Sequence, residues 1–265
     1  MSDGKPQPRR KRQSIVPPQH GGWAFVGLPI VLGIWVAPWT SLLIVAAVGW
    51  IVAFPASYFT LAVLRYPLPR RFWRPLAIWA GAGIPLAIIL LAARPWLVWL
   101  GAAYVLTFAI NVGFARRRDE RAMTNNTIFI LECTAIVPAM WGIGAVPGGW
   151  SVAAFSTAPT GVWISSACCA MALVGSTLHV KSLIRERNDA RFQVASQSWA
   201  AASLAVSVVL AATAGLPVGL LLTVPFAYLA IRSFAVAGRK LSPGRIGMIE
   251  LVGFVLLAAV APFAM

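Results

Sequence analysis

Twenty-one of the 22 Lys and Arg residues fall in five polar stretches that lie on one side of the layout set by nine apolar runs. An apolar run of about 17 to 25 residues is the length that crosses ~30 Å of hydrocarbon as a helix. The nine extend from Trp23 to Ala37, Ser41 to Leu64, Pro75 to Ala93, Trp96 to Ala115, Thr127 to Val146, Gly161 to Leu183, Ser198 to Gly215, Pro217 to Ala237 and Ile246 to Phe263. No water reaches the bilayer core to satisfy an open backbone, so runs of this length must close their hydrogen bonds as helices. The expected fold is all-α, a polytopic transmembrane helix bundle of about nine spans.

Basic segments resist transfer across a membrane, and this sets the orientation. With the amino terminus cytoplasmic, the inner segments hold Lys5 and Arg9 to Arg12, then Arg65 to Arg74, Arg116 to Arg121, Lys181 to Arg191, and Arg232 to Arg245. Only Arg94 falls outside. Eight or ten spans would strand a basic cluster on the wrong side. Residues 1–19 read as a disordered basic cytoplasmic tail and 20–265 as the transmembrane domain. The tail is not expected to be a cleavable signal, because a second span follows the first apolar run directly.

Composition excludes a soluble class. Hydrophobic residues make up 59% of the chain and charged residues 11%, whereas soluble domains carry about 25% charge. The net charge of +15 is spread over every inner turn, as topology and anionic lipid headgroups require. A nucleic-acid partner is not expected, since that would gather the cations on one soluble face. Cys133, Cys168 and Cys169 all lie inside spans and read as small packing residues. There is no Gly-rich phosphate loop after a strand, no zinc-spaced His and Cys set and no nucleophile elbow.

Polar groups inside a bilayer are costly and therefore point to function or to pairing. Two acids lie within spans, Glu132 about five residues into the fifth and Glu250 about four into the ninth. His20 opens the first span, and His179 sits about one turn before the sixth ends. Tyr104, Thr107 and Asn111 share one face of the fourth span. Lys181, Arg185 and Asp189 form a stripe at the end of the sixth.

All of these map to the basic side, which suggests a cytoplasm-facing polar cavity ringed by Arg and Lys. The plainer reading is local pairing: Glu132 with an Arg between Arg116 and Arg121, Glu250 with Arg245 or Lys240, and His20 as an interfacial residue beside Trp23.

The stretch Pro18-Gln19-His20-Gly21-Gly22-Trp23-Ala24, with His179-Val180-Lys181-Ser182-Leu183-Ile184-Arg185-Glu186-Arg187-Asn188, resembles the YwiC-like family of bacterial membrane proteins. That resemblance implies a multi-pass plasma-membrane protein and brings no reaction with it. A more distant resemblance is to UbiA-type prenyltransferases, nine-helix bundles whose Asp-rich loops after helices two and six hold Mg²⁺ against an isoprenyl diphosphate. The corresponding loops here depart from that pattern. Arg65 to Pro75 contains no acid, and the second pattern falls on Lys181, Ser182, Arg185 and Asp189. Mg²⁺ is therefore only weakly supported as a cofactor.

Three functions follow. In the first, Arg65, Arg70, Arg71, Arg74, Lys181 and Arg185 receive the anionic head of an isoprenoid, quinone-type or other amphipathic lipid. His179, Asn111 and Glu132 then line the pocket, with His179 or Glu132 as acid or base. In the second, Glu132 and Glu250 couple protons to secondary transport. In the third, the chain is a non-catalytic accessory protein that contacts membrane lipids through its turns.

Overall fold

A computed structural model describes residues 14–66, 70–117, 122–214 and 218–264, with only the backbone of His20, Thr213, Ala214, Val218 and Ala264. The basic residues of the tail, and Arg118 and Arg121 of the turn after the fourth span, lie outside the described residues. The helices are α1 (His20–Val36), α2 (Ser41–Arg65), α3 (Arg70–Ala93), α4 (Leu97–Arg116), α5 (Met123–Thr134), α6 (Ile136–Ala145), α7 (Thr160–Ile184), α8 (Ala190–Ala214), α9 (Val218–Ala235) and α10 (Pro243–Ala264). A short 3₁₀ turn, Ala153–Thr157, precedes α7. No strand occurs among the described residues.

Seven of these passages are long and apolar enough to cross a membrane, with α5 and α6 together forming one of them. Gly21–Val36 and Gly219–Ala235 are shorter apolar helices. Among the described residues the seven long and two shorter apolar helices fall on the nine expected apolar runs, and the chain is a polytopic helical bundle.

Several helices begin well before their apolar runs do. α8 starts eight residues ahead of Ser198, because Asp189 caps it: its Oδ1 accepts from the Arg191 backbone N–H at 2.9 Å. That bond satisfies one of the orphan donors of a helix start. α3 likewise starts at Arg70 rather than Pro75. Its first turn is held by the Arg71 guanidinium, 4.5 Å from the Phe72 ring and 5.3 Å from the Tyr66 ring.

α5 starts at Met123, four residues ahead of its apolar run. Glu132 therefore sits nine residues into the helix, about 14 Å along it from Met123 at ~1.5 Å per residue, and five residues into the apolar run. Within the fifth passage the hydrogen-bond ladder is interrupted. Pro138 has no N–H to offer the Thr134 carbonyl, and α5 and α6 meet at Ala135, whose backbone stays in the right-handed helical region at φ −62° and ψ −16°. The freed Thr134 carbonyl accepts instead from Ser166 Oγ of α7 at 3.4 Å.

α1 and α7 lie at the centre. α1 packs on α2, α5, α6, α7 and α10, and α7 packs on α5, α6, α8, α9 and α10 as well. The main core joins Leu32, Leu43, Val137, Met140, Cys168, Cys169, Leu173, Leu222, Phe226 and Leu257, so the three cysteines serve as packing residues as expected.

Glycines set how closely these helices approach. A Cβ at Gly33 would lie 2.6 Å from Met140 Cβ, and one at Gly144 would lie 2.2 Å from the Pro38 carbonyl oxygen. Small residues of this kind let helix backbones meet when lipid offers no hydrophobic drive. Gly142 and Gly253 are equally crowded, whereas Gly81 has open space.

α3 and α4 form the outer flank and turn apolar side chains outward, among them Ile84, Ile88, Val105 and Leu106. So large an apolar surface suits lipid contact.

The last part of the tail is placed against this flank. The Ile15 carbonyl accepts from Trp79 Nε1 of α3 at 2.8 Å, and Pro17 is buried. Residues 14–19 are thus described beside α3, and residues 1–13 lie outside the described set.

Candidate functional site: a buried ionisable centre

Three helices bring one charged or titratable side chain each to a single buried point. His179 of α7, Arg232 of α9 and Glu250 of α10 are only 1%, 5% and 5% exposed. Glu250 Oε1 accepts from Arg232 Nη1 at 2.5 Å and lies 2.6 Å from His179 Nδ1. Arg232 Nη1 also contacts His179 Nδ1.

Helix geometry explains why they meet. His179 lies five residues before the end of α7, Arg232 three before the end of α9, and Glu250 seven after the start of α10. All three sit at the basic end of the bundle, at depths of about 5 to 10 Å by the rise of ~1.5 Å per residue.

Around the centre the backbone is tied down locally. Ser182 Oγ donates to the His179 carbonyl at 2.8 Å, Ser233 Oγ to the Ala230 carbonyl at 2.8 Å and Tyr228 OH to the Ile249 carbonyl at 3.0 Å. Tyr228 thereby locks α9 against α10 one turn from the pair.

The arrangement allows two proton positions. A neutral imidazole has one donor and one acceptor nitrogen. If Nδ1 carries the hydrogen it donates to Glu250, and Nε2 is left as an acceptor. If Nε2 carries it, Nδ1 accepts from Arg232. Three polar atoms of the centre, His179 Nε2, Arg232 Nε and Glu250 Oε2, are buried without a hydrogen-bond partner among the described residues. The centre therefore retains donor and acceptor capacity beyond its own contacts.

The pairing expected for Glu250 is corrected here. Its partners are Arg232 and His179, not Arg245 or Lys240, because residue 250 faces inward to α7 and α9 while Arg245 is exposed at the start of α10. Arg232, which charge counting assigned to an inner turn, is a member of the site. Its signal was present in the sequence: Arg232 interrupts the eighth apolar run between Ile231 and Phe234, and a cation there is expected to face a partner.

The other candidates do not gather at this point. Glu132 is half-buried beside α4, where Tyr104 OH donates to its backbone carbonyl at 2.8 Å and the Thr107 hydroxyl neighbours its carboxyl group. Asn111 continues that α4 face and buries an unpartnered Oδ1. Arg65 and Arg71 stack on Tyr66, next to a separate small core of Phe59, Ala62 and Phe72. Arg70 and Arg74 are exposed in the first turns of α3.

Lys181 is buried on a different face of α7 from His179, its Nζ 5.5 Å from the Phe192 ring. Arg185 closes α7, its backbone N–H donating to the Lys181 carbonyl. Asp189 is occupied as the cap of α8. The side chain of His20 lies outside the described residues. Arg65, Arg71, Lys181 and Asp189 thus have local partners of their own.

The residues do not fit Mg²⁺. Among the described residues no group of three or more His, Cys, Asp or Glu could hold a metal ion, and the acid best placed for one, Asp189, caps a helix. A recess of about 170 Å³ opens at the opposite end of the bundle, between Trp35, Pro159, Val162 and Pro262.

No solved structure matches the chain. The family described as YwiC-like protein matches residues 16–141, the part that runs from the end of the tail into α6. The chain is 30% identical over 201 residues, 71% of its length and 73% of the relative's, to "Uncharacterized protein YwiC" of Bacillus subtilis (strain 168). With that extent of identity, and with its helical bundle, the chain belongs to the YwiC-like family.

Proposed function

We propose that this protein is a proton-coupled secondary transporter in which the His179–Glu250 pair takes up and releases the proton and Arg232 holds the charge balance. The observation that carries this reading is the convergence of a histidine, a carboxylate and a guanidinium, each about nineteen-twentieths buried, from three separate membrane helices. Ionisable residues inside spans are rare, pair with one another and mark proton relays and substrate pathways.

A further feature suits transport. The three helices that meet at the centre are held mainly by helix packing and a few hydrogen bonds, so a change of charge at the centre can alter how they pack.

The lipid-headgroup reading draws less support. Its cations are divided between the stacked α2–α3 turn and the end of α7.

The test is solute-driven proton movement in proteoliposomes loaded with a pH indicator. Organic anions, organic cations, amino acids and sugars would be applied in turn. Acidification driven by one class in the wild type, and lost in folded Glu250→Gln and His179→Ala variants, supports the proposal. Proton movement by no class, or movement unchanged in both variants, overturns it.

A further inference from the structure

We infer that the solute handled at this centre is a small oxyanion, a carboxylate or a phosphate, bound by Arg232 only when the centre has taken a proton. This rests on the proton-coupling reading and adds the chemical class of substrate. With Glu250 ionised and His179 neutral the centre carries no net charge: the Arg232 guanidinium sits against the Glu250 carboxylate, with His179 between them. A net charge left in a dry interior is costly, so neutrality decides what can bind.

Adding a proton to Glu250 or His179 breaks that neutrality. The proton comes from bulk water and ends on a carboxylate oxygen or an imidazole nitrogen; no other bond changes. Arg232 keeps its charge throughout, because guanidinium does not deprotonate in proteins. The protonated centre carries one uncompensated positive charge, and the group that restores neutrality is a monovalent anion. Without the proton, the same anion would leave the centre negative. Proton and anion are therefore favoured together and disfavoured apart.

The geometry supplies the means of recognition. Arg232 uses Nη1 on Glu250 and His179, while its Nε–H is buried and unpartnered. An oxyanion accepting at that edge of the guanidinium fits the planar donor fork that carboxylate and phosphate favour. His179 Nε2, also buried and unpartnered, supplies a second donor once the ring is protonated. Arrival is assisted by the exposed Arg239, Arg245 and Arg187 at the same end, since clustered cations raise the local concentration of anions.

Other titratable groups near the centre are few. α9 adds Tyr228, whose hydroxyl is spent on the Ile249 carbonyl. α10 adds Arg245, at its exposed start. α7 adds the packed Cys168 and Cys169, and Lys181 on another face. Of the helices packed on these, α1 carries only His20, α8 only Arg191 and α5 only Glu132 and Cys133, while α6 carries none.

The experiment is calorimetric titration of the full chain in nanodiscs with sodium acetate, sodium phosphate and, as a control, sodium chloride, from pH 5 to pH 8. One proton taken up per anion means that the apparent Kd for acetate, which stays essentially a monoanion over this range, weakens about tenfold per pH unit across the uptake range; phosphate, which itself gains a second negative charge near neutral pH, is compared between wild type and Glu250→Gln at each pH. Glu250→Gln, which mimics the protonated acid, is expected to bind with less than about threefold pH dependence, the remainder coming from His179. Arg232→Lys, which keeps the charge but lacks the guanidinium fork, is expected to weaken binding by at least about tenfold.

Acetate and phosphate arms separate the two oxyanion types. Oxyanion binding that is independent of pH in the wild type, or that titrates identically in folded Glu250→Gln, overturns the inference. So does binding of chloride as tight as either oxyanion. Proton movement driven only by cations or neutral solutes in the proteoliposome assay would overturn the anion assignment while leaving proton coupling standing.

Discussion

His179 Nδ1 lies 2.6 Å from Glu250 Oε1, 71 residues away in the chain, and the contact fastens α7 to α10 at the basic end of the bundle. Arg232 closes the group from α9. A pair of this kind stores a strong dependence of each member on the others, because removing one partner leaves a buried charge with nothing to offset it.

Arg232→Met is therefore expected to destabilise the bundle by about 3 to 5 kcal/mol, and Glu250→Leu by a similar amount. The double variant Arg232→Met/Glu250→Leu should regain at least about 2 kcal/mol of the larger loss, since both charges leave together. Reversible unfolding in mixed detergent micelles measures the cycle, and additive losses would show that the two side chains do not interact.

Close helix approach gives a second expectation. Gly144→Ala places a methyl 2.2 Å from the Pro38 carbonyl oxygen and Gly33→Ala places one 2.6 Å from Met140 Cβ, so each should cost about 1 to 3 kcal/mol as an overpacked contact. Gly27→Ala meets nothing within 4 Å and should be neutral or stabilising by about 0.5 to 1 kcal/mol through helix propensity. Thermal melts of the three variants test the order.

The interruption between α5 and α6 follows from Pro138. Pro138→Ala restores a donor for the Thr134 carbonyl and should make Met123–Ala145 one continuous helix. Amide exchange across residues 134 to 140 is expected to slow by roughly fivefold, in line with a net hydrogen-bond gain of about 1 kcal/mol. Unchanged exchange would place the cause of the break in tertiary packing instead.

Orientation is open to chemical labelling. The exposed Ser151 lies in the uncharged segment before α7, and the exposed Ser242 lies before α10 at the basic end. In a background with the native cysteines replaced, a membrane-impermeant maleimide applied to intact cells should label Ser151→Cys and spare Ser242→Cys. The opposite pattern would invert the topology.

Much of the fold was readable because bilayer physics leaves so few options. The spacing of Arg65, Arg94, Arg116 and Lys181 between apolar runs set the number of passages, and the helices follow it. The missing hydrogen bond at Thr134 follows from Pro138, which has no N–H to give, whereas how far such a site bends a helix is decided by packing.

The site was half legible. His179 and Glu250 stood out as polar groups inside apolar runs. Arg232 was absorbed into the basic turn that follows it, since charge counting does not separate a cation inside the last turn of a helix from one beyond its end. Which acid meets which cation depended on the register of α7, α9 and α10, information that lies between helices and not within any one of them. Glu132 and Asn111 share a different seam for the same reason, because the inward faces of α4 and α5 meet each other and not α10.

The most direct test of the buried proton-handling centre is a pH jump on proteoliposomes adsorbed to a solid-supported membrane, which records charge entering the protein. The account predicts a transient displacement in the wild type that disappears in folded Glu250→Gln and is reduced in His179→Ala. A displacement of equal size in all three proteins would contradict it.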